Sequence, residues 1–203
     1  GGLKVQEINS YGKIMLLKQI FEENKDQLKL FTKASRQEGF LREFDALISE
    51  LKQDCISVEF LEQVIKHKAK EDESQLLTKK LEDIVKIYRE IKKRTEGVFF
   101  DEEDKTDLLI YAVQHSSLIK NSHIWIDGFE SFNLQRHRLI KELVRYAEEV
   151  YITLDMDSAS FDNLSNTDDW EAFSTVQSTY KNLIRDIDCK IKIISLDNNS
   201  MSN

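Results

Sequence analysis

The chain is 203 residues long, 40% hydrophobic and 33% charged, with a formal net charge of −8 and no proline. It is long enough to bury a sizeable core in one or two domains, and no apolar run approaches the roughly 20 residues of a membrane span. The charge is uneven, 21 basic against 23 acidic residues in 1–122 and 8 against 14 in 123–203, which argues against a protein that coats nucleic acid but leaves room for a local basic face.

The N-terminal stretch GGLKVQEINS has neither the basic nor the apolar region of a signal peptide and no initiator methionine, so the chain reads as a piece of a longer, cytoplasmic polypeptide. Its two cysteines, Cys55 and Cys189, lie far apart in unlike contexts and read as reduced, buried thiols, not as a disulfide or metal set.

Residues 10–32 show helical spacing through Ile14, Leu17, Ile20 and Phe21, with Ser10 placed to cap and a break near Asn24–Asp26 before a short continuation with Leu28 and Phe31. Gly12–Lys13 is not a phosphate loop, because no glycine precedes it at the required spacing and no strand leads into it. A second helix opens at Gly39 and runs to about Lys52, with Phe40, Phe44, Leu47, Ile48 and Leu51 on one face. Ser57 caps a third, where Ile56 and Leu61 have the spacing of a hydrophobic staple.

Lys66, Lys68 and Lys70 then read either as a solvated loop or as phosphate contacts. Asp72 and Gln75 have capping-box spacing and start the longest helix, about 73–96. It closes on Lys92, Lys93 and Arg94, the favourable sign for a helix C-terminus, before a left-handed stop at Gly97. That basic cluster has the same two readings, helix end or DNA contact. Asp101 and Asp104 begin a further helix.

From His123 the pattern alternates. Ile124–Ile126 reads as a buried strand, Asn133 caps a helix, Val150–Leu154 is a strand, Thr167 caps a helix, and Ile191–Ile194 is a third strand. The chain is therefore expected to be helix-rich α/β: an all-helical part over 1–120, then a small parallel β-α-β-α-β sheet over 121–203. Three strands are few for a parallel sheet, so others are expected elsewhere.

The strand at 124–126 ends on Asp127. Such an acid is delivered to the C-terminal edge of the sheet, where open α/β sheets bind ligands. It reads as an ordinary strand end or as an acid holding the magnesium of a bound nucleotide. The polar segment Asp155–Thr167 reads as a surface loop at the second strand's end. His67, His115, His123 and His137 show no ligand spacing, and no metal site is expected.

Three stretches, GGLKVQEINSYGKIMLLKQIFEEN, KASRQEGFLREFDALISELKQDCIS and WIDGFESFNLQRHRLIKELVRYAEEVYITLDMD, resemble the B subunit of the bacterial ATP-dependent helicase/nuclease, the AddB/RexB family. The resemblance implies an internal fragment of a UvrD-like helicase module, with 121–203 part of a RecA-like P-loop lobe carrying a Walker-B-like strand. It implies a role in resecting double-strand DNA ends for recombinational repair, beside an A subunit with motor and nuclease activity. Mg2+/ATP and an iron–sulfur cluster are implied for the full-length family, and no cofactor for this stretch.

Active UvrD-type helicases place Asp-Glu at this strand end. Here the pair is Asp127–Gly128, and glycine offers no base to activate water. Asp127 is the one residue transferred from the family motif, as a magnesium–nucleotide contact in the full-length protein. No catalytic residue is expected in this fragment, which is expected to be inactive alone. The alternatives are a nucleotide-hydrolysing domain using Asp127, and a stand-alone helical protein-interaction module with a small α/β cap.

Overall fold

The computed structural model describes residues 6–68, 75–162, 173–187 and 189–194. Lys70, Asp72 and Thr167 lie outside them. The chain divides into two compact units, residues 1–112 with 133–139, and residues 113–132 with 140–203.

The first unit contains β1 (Gln6–Glu7), α1 (Ser10–Asn24), α2 (Glu38–Gln53), α3 (Val58–Lys68), α4 (Gln75–Thr95), β2 (Phe99–Phe100) and most of α5 (Glu102–His115). Its core is the overlap of four apolar stripes: Leu17, Ile20 and Phe21 from α1, Leu41, Phe44 and Ile48 from α2, Val58 and Leu61 from α3, and Val85, Ile87 and Tyr88 from α4. Phe21 packs edge-on against Phe40 and Phe44, with ring centroids 5.7 and 5.1 Å away. This is a favoured geometry for aromatic quadrupoles.

The helix ends follow local chemistry. Asn9, not Ser10, caps α1, accepting from Gly12 N at 2.9 Å. Ser57 caps α3 by accepting from Phe60 N at 3.1 Å. Asp101 and Asp104 form a reciprocal capping box, each side chain accepting from the other's backbone N–H at 3.1 and 3.0 Å. Gly97 takes the left-handed conformation expected of it, with φ +72°.

The end of α2 uses the same device without glycine. Cys55 has φ +53°, while Cys55 N bonds Lys52 O at 2.9 Å and Ile56 N bonds Leu51 O at 2.7 Å. That is the paired hydrogen bonding of a Schellman motif. Cys55 and Cys189 are both exposed, which corrects the expectation of buried thiols. Cys55 sits at the turn that must leave the helix, so it cannot point into the helical core.

The second unit holds β3 (His123–Ile126), β4 (Glu149–Ile152), α7 (Ser158–Asp162) and α8 (Ser174–Asp186). Between β3 and β4 runs α6 (Leu134–Tyr146), capped by Asn133, whose Oδ1 accepts from Arg136 N at 2.9 Å. β3 and β4 pair in parallel, His123 opposite Glu149 through Ile126 opposite Ile152.

Two expectations are corrected here. Residues 191–194 form no strand, and Ile191, Ile193 and Ile194 are exposed. Alternation supplies a face, but a strand exists only when its backbone finds a partner. β3 is also not fully buried: its residues alternate exposed and half-buried, and Trp125 is 66% exposed. A run of apolar residues suggests coverage on both faces, whereas this pair is covered on one. β1 and β2, paired in parallel over two residues each, are too short to leave any periodicity in the sequence.

Candidate functional site

The tip of β3 is built from three cross-strand rungs on the exposed face. His123 faces Glu149 and lies 2.9 Å from its carboxylate through Nδ1. Trp125 stacks on Tyr151 with centroids 4.9 Å apart and planes 5° from parallel. The next rung joins Asp127 to Thr153: Thr153 N donates to Ile126 O at 3.0 Å, and the Thr153 hydroxyl donates to Asp127 Oδ1.

Asp127 is thus an exposed carboxylate at the C-terminal end of a parallel strand. Gly128 follows with φ +77°, a backbone conformation that costs an L-residue roughly 1–2 kcal/mol. An acid at 128 would be strained there although a Cβ would meet open space. One exposed carboxylate suits magnesium on a nucleotide, which keeps most of its water and takes only one or two protein carboxylates.

The basic clusters are placed apart. Arg89 pairs with Glu62, and Lys92 Nζ lies 3.8 Å from Glu59, so α3 and α4 run antiparallel. Lys92, Lys93 and Arg94 therefore stand beside the start of α3, while Lys66 and Lys68 stand exposed at its far end. Eleven residues of helix separate these ends by about 16 Å. Arg94 is further drawn into pairs with Glu23 and Glu90. Among the described candidates, no single basic patch is assembled.

Sequence reading missed a buried ionic cluster in the first unit. Lys52 Nζ donates to Asp101 at 2.7 Å and Asp104 at 3.0 Å. Lys13 Nζ lies 3.7 Å from Asp45 and Asp101 and 3.6 Å from Glu103. Burial pushes the Asp101 carboxyl up, but the hydrogen bond and charge of Lys52 outweigh it and hold Asp101 at about 2. Burial raises Asp45 and Asp104. For Lys52, burial is outweighed by its two carboxylate partners, so its ammonium is held above its usual range. The paired residues come from separate elements far apart along the chain, so only the packing could reveal them.

A cavity of about 450 Å³ adjoins this cluster, lined by Lys52, Cys55, Tyr88, Asp104, Asp107 and Arg138 among others. Its three cations each face an acid: Lys52 as above, Lys92 with Glu59 at 3.8 Å, and Arg138 with Asp107 at 3.8 Å, Arg138 also donating to Cys55 Sγ at 3.4 Å. With its cations already paired, this cavity is a weaker candidate than Asp127. No group of three His, Cys, Asp or Glu among the described residues could hold a metal. Two exposed cysteines do not fit an iron–sulfur cluster, which takes four protein ligands. No described helix is long and apolar enough to cross a membrane.

Comparison with known proteins agrees with the resemblance. The chain is 33% identical over 185 residues to the B subunit of the ATP-dependent helicase/deoxyribonuclease of Thermoanaerobacter pseudethanolicus, covering 91% of this chain and 15% of that protein. It is 34% identical over 187 residues to the same-named protein of Caldanaerobacter subterraneus subsp. tengcongensis, at 91% and 15% coverage. With that of Alkaliphilus metalliredigens it shares 30% over 200 residues, at 97% and 17% coverage. The chain thus spans about a sixth of the length of these relatives. The family model described as "ADDB, N-terminal" matches residues 1–201, and the chain belongs to that family.

Proposed function

We propose that this chain is a non-hydrolysing, helicase-like segment of the B subunit of a cytoplasmic ATP-dependent helicase/nuclease that resects double-strand DNA ends for recombinational repair. The 121–203 part belongs to a RecA-like lobe whose remaining strands and phosphate loop come from other parts of a longer chain. Among the described residues, β3 and β4 form a two-stranded parallel pair with an exposed aromatic face, which supports this, since parallel sheets are ordinarily wide and covered on both sides. The A subunit of the same helicase/nuclease and double-stranded DNA ends are the partners. Any iron–sulfur cluster belongs to other segments.

The observation that carries the reading is the strand tip: Asp127 presented at the end of β3, followed by a left-handed Gly128. Asp127 would hold magnesium on the nucleotide of the full-length protein, and the metal would supply charge neutralisation at the phosphates. No side chain at position 128 can then take a proton from water, so the site binds and does not turn over.

Isothermal titration of the 203-residue chain with Mg-ATP is expected to show no micromolar binding, because the phosphate cradle is not in it. Fluorescence anisotropy with a duplex end is expected to show weak binding that falls steeply between low and moderate salt. ATP turnover by the chain alone, or tight salt-insensitive DNA binding, contradicts the reading.

A second reading, a helical interaction module, is favoured by α5, which exposes Leu108, Leu109 and Tyr111 together. It predicts that charge-bearing substitutions at Leu108 and Leu109 abolish assembly with the A subunit while substitution of Asp127 leaves nucleotide binding by the complex unchanged.

A further inference from the structure

The Asp127 carboxylate stands exposed at a strand end, where a side chain left to itself would sample several rotamers. It is not left to itself. The Thr153 hydroxyl donates to its Oδ1. Thr153 is itself fixed, because its backbone N–H donates to Ile126 O at 3.0 Å, one residue before Asp127. Threonine is β-branched and restricted at χ1, so the hydroxyl is aimed by the same ladder that carries the acid. With Oδ1 engaged, Oδ2 is left for a cation, and Gly128 turns the chain away beside it.

We infer that Thr153 is a positioning residue for Asp127, orienting one carboxylate oxygen so that the other would be free to hold the magnesium of a bound nucleotide. This rests on the nucleotide reading proposed above. Thr153 touches neither the metal nor the nucleotide; it acts by fixing the ligand that does. Groups that orient a metal's ligands are commonly worth about 10- to 100-fold in metal affinity. A single, solvent-exposed hydrogen bond belongs at the lower end, about tenfold.

The test uses the full-length protein in its complex and measures equilibrium ATP binding with magnesium and again with the metal chelated. Asp127→Asn is expected to lose the magnesium-dependent part of the affinity. Thr153→Val is expected to weaken magnesium-dependent binding about tenfold and leave metal-free binding unchanged. Thr153→Ser, which keeps the hydroxyl, is expected to recover the affinity.

If Asp127→Asn weakens binding and Thr153→Val does not, the positioning role is overturned while the nucleotide reading stands. Equal weakening by Thr153→Val with and without metal, or failure of Thr153→Ser to recover, makes Thr153 merely structural and also overturns it. If the complex binds no nucleotide, or binds it with the same metal dependence after Asp127→Asn, the nucleotide reading falls and the inference with it.

Discussion

The two units differ in which ordered polar groups stand out: charges packed against the helical core in the first, an open sheet face in the second. In the first, buried charge is answered internally. Asp83, 2% exposed on α4, accepts from Lys29 N and Leu30 N at 2.8 Å and Phe31 N at 3.0 Å, clasping the segment after α1 onto the core. Lys52 meets two carboxylates in the same manner. In the second, His123, Trp125, Tyr151 and Asp127 are ordered along one sheet face yet remain accessible. Internally paired groups rigidify a fold, whereas groups ordered but left open to solvent are available for binding. On this contrast the candidate site lies in the second unit.

Core truncation is the strongest way to break this contrast. Phe21, 1% exposed, is expected to cost about 3–5 kcal/mol when replaced by alanine, read as a shift in the urea unfolding midpoint. Trp125→Ala on the open face is expected to cost under about 1.5 kcal/mol, the scale of a lost aromatic pair. Equal losses at the two positions would mean that the sheet face is as structural as the helical core.

Asp83→Ala comes next, at about 3 kcal/mol, because it strands three backbone donors in a partly buried place. Hydrogen exchange should accelerate at residues 29–31 before the rest of the unit. Uniform acceleration instead would show that Asp83 supports the whole core and not that segment.

Lys52→Met is expected to cost a similar amount, about 3 kcal/mol at neutral pH, by removing the hydrogen-bonded cation from two carboxylates, with Lys13 left near Asp101. The folded Asp101 titrates at about 2 against an ordinary 3.8. Its stabilising contribution is present above 3.8 and disappears as the pH falls through about 2. The gap between wild type and Lys52→Met should therefore close over that window. Asp45 and Asp104 are raised by burial, so their ionisation opposes folding at neutral pH, and mild acidification should first stabilise the wild type. A gap that is independent of pH would remove Asp101 from the account.

A small effect, on the scale of that at Trp125, is expected at Gly128. Gly128→Glu restores an acid in sequence but meets φ +77°, so it should cost about 1–2 kcal/mol and yield no ATP turnover by the full-length protein. Appearance of turnover would show that hydrolysis was lost through one side chain alone and not through the backbone as well.

The helices were legible because each carries its own evidence: apolar spacing, the Ser57 cap, the Asp101–Asp104 box and the Gly97 stop all act within a few residues. Asp127 was legible as a strand end for the same reason. Thr153 was less so. Its place opposite Asp127 follows only once β3 and β4 adopt their register, 26 residues apart, although its sharing of a face with Tyr151 was written in the two-residue alternation. The apparent strand at 191–194 failed for the complementary reason: alternation was there, and no partner strand stands among the described residues.

By itself, the sequence determined where the apolar helix faces lie, that an acid ends the strand at 126, and that the residue after it cannot serve as a base, since these depend on neighbours along the chain. Tertiary structure alone decided which face of β3 stays open, which lysines are neutralised by which carboxylates, that the two basic clusters lie at opposite ends of a helical pair, and which hydroxyl holds Asp127. Those outcomes depend on distance in space, and the physical forces that set them, burial and charge pairing, act between residues the linear order leaves far apart.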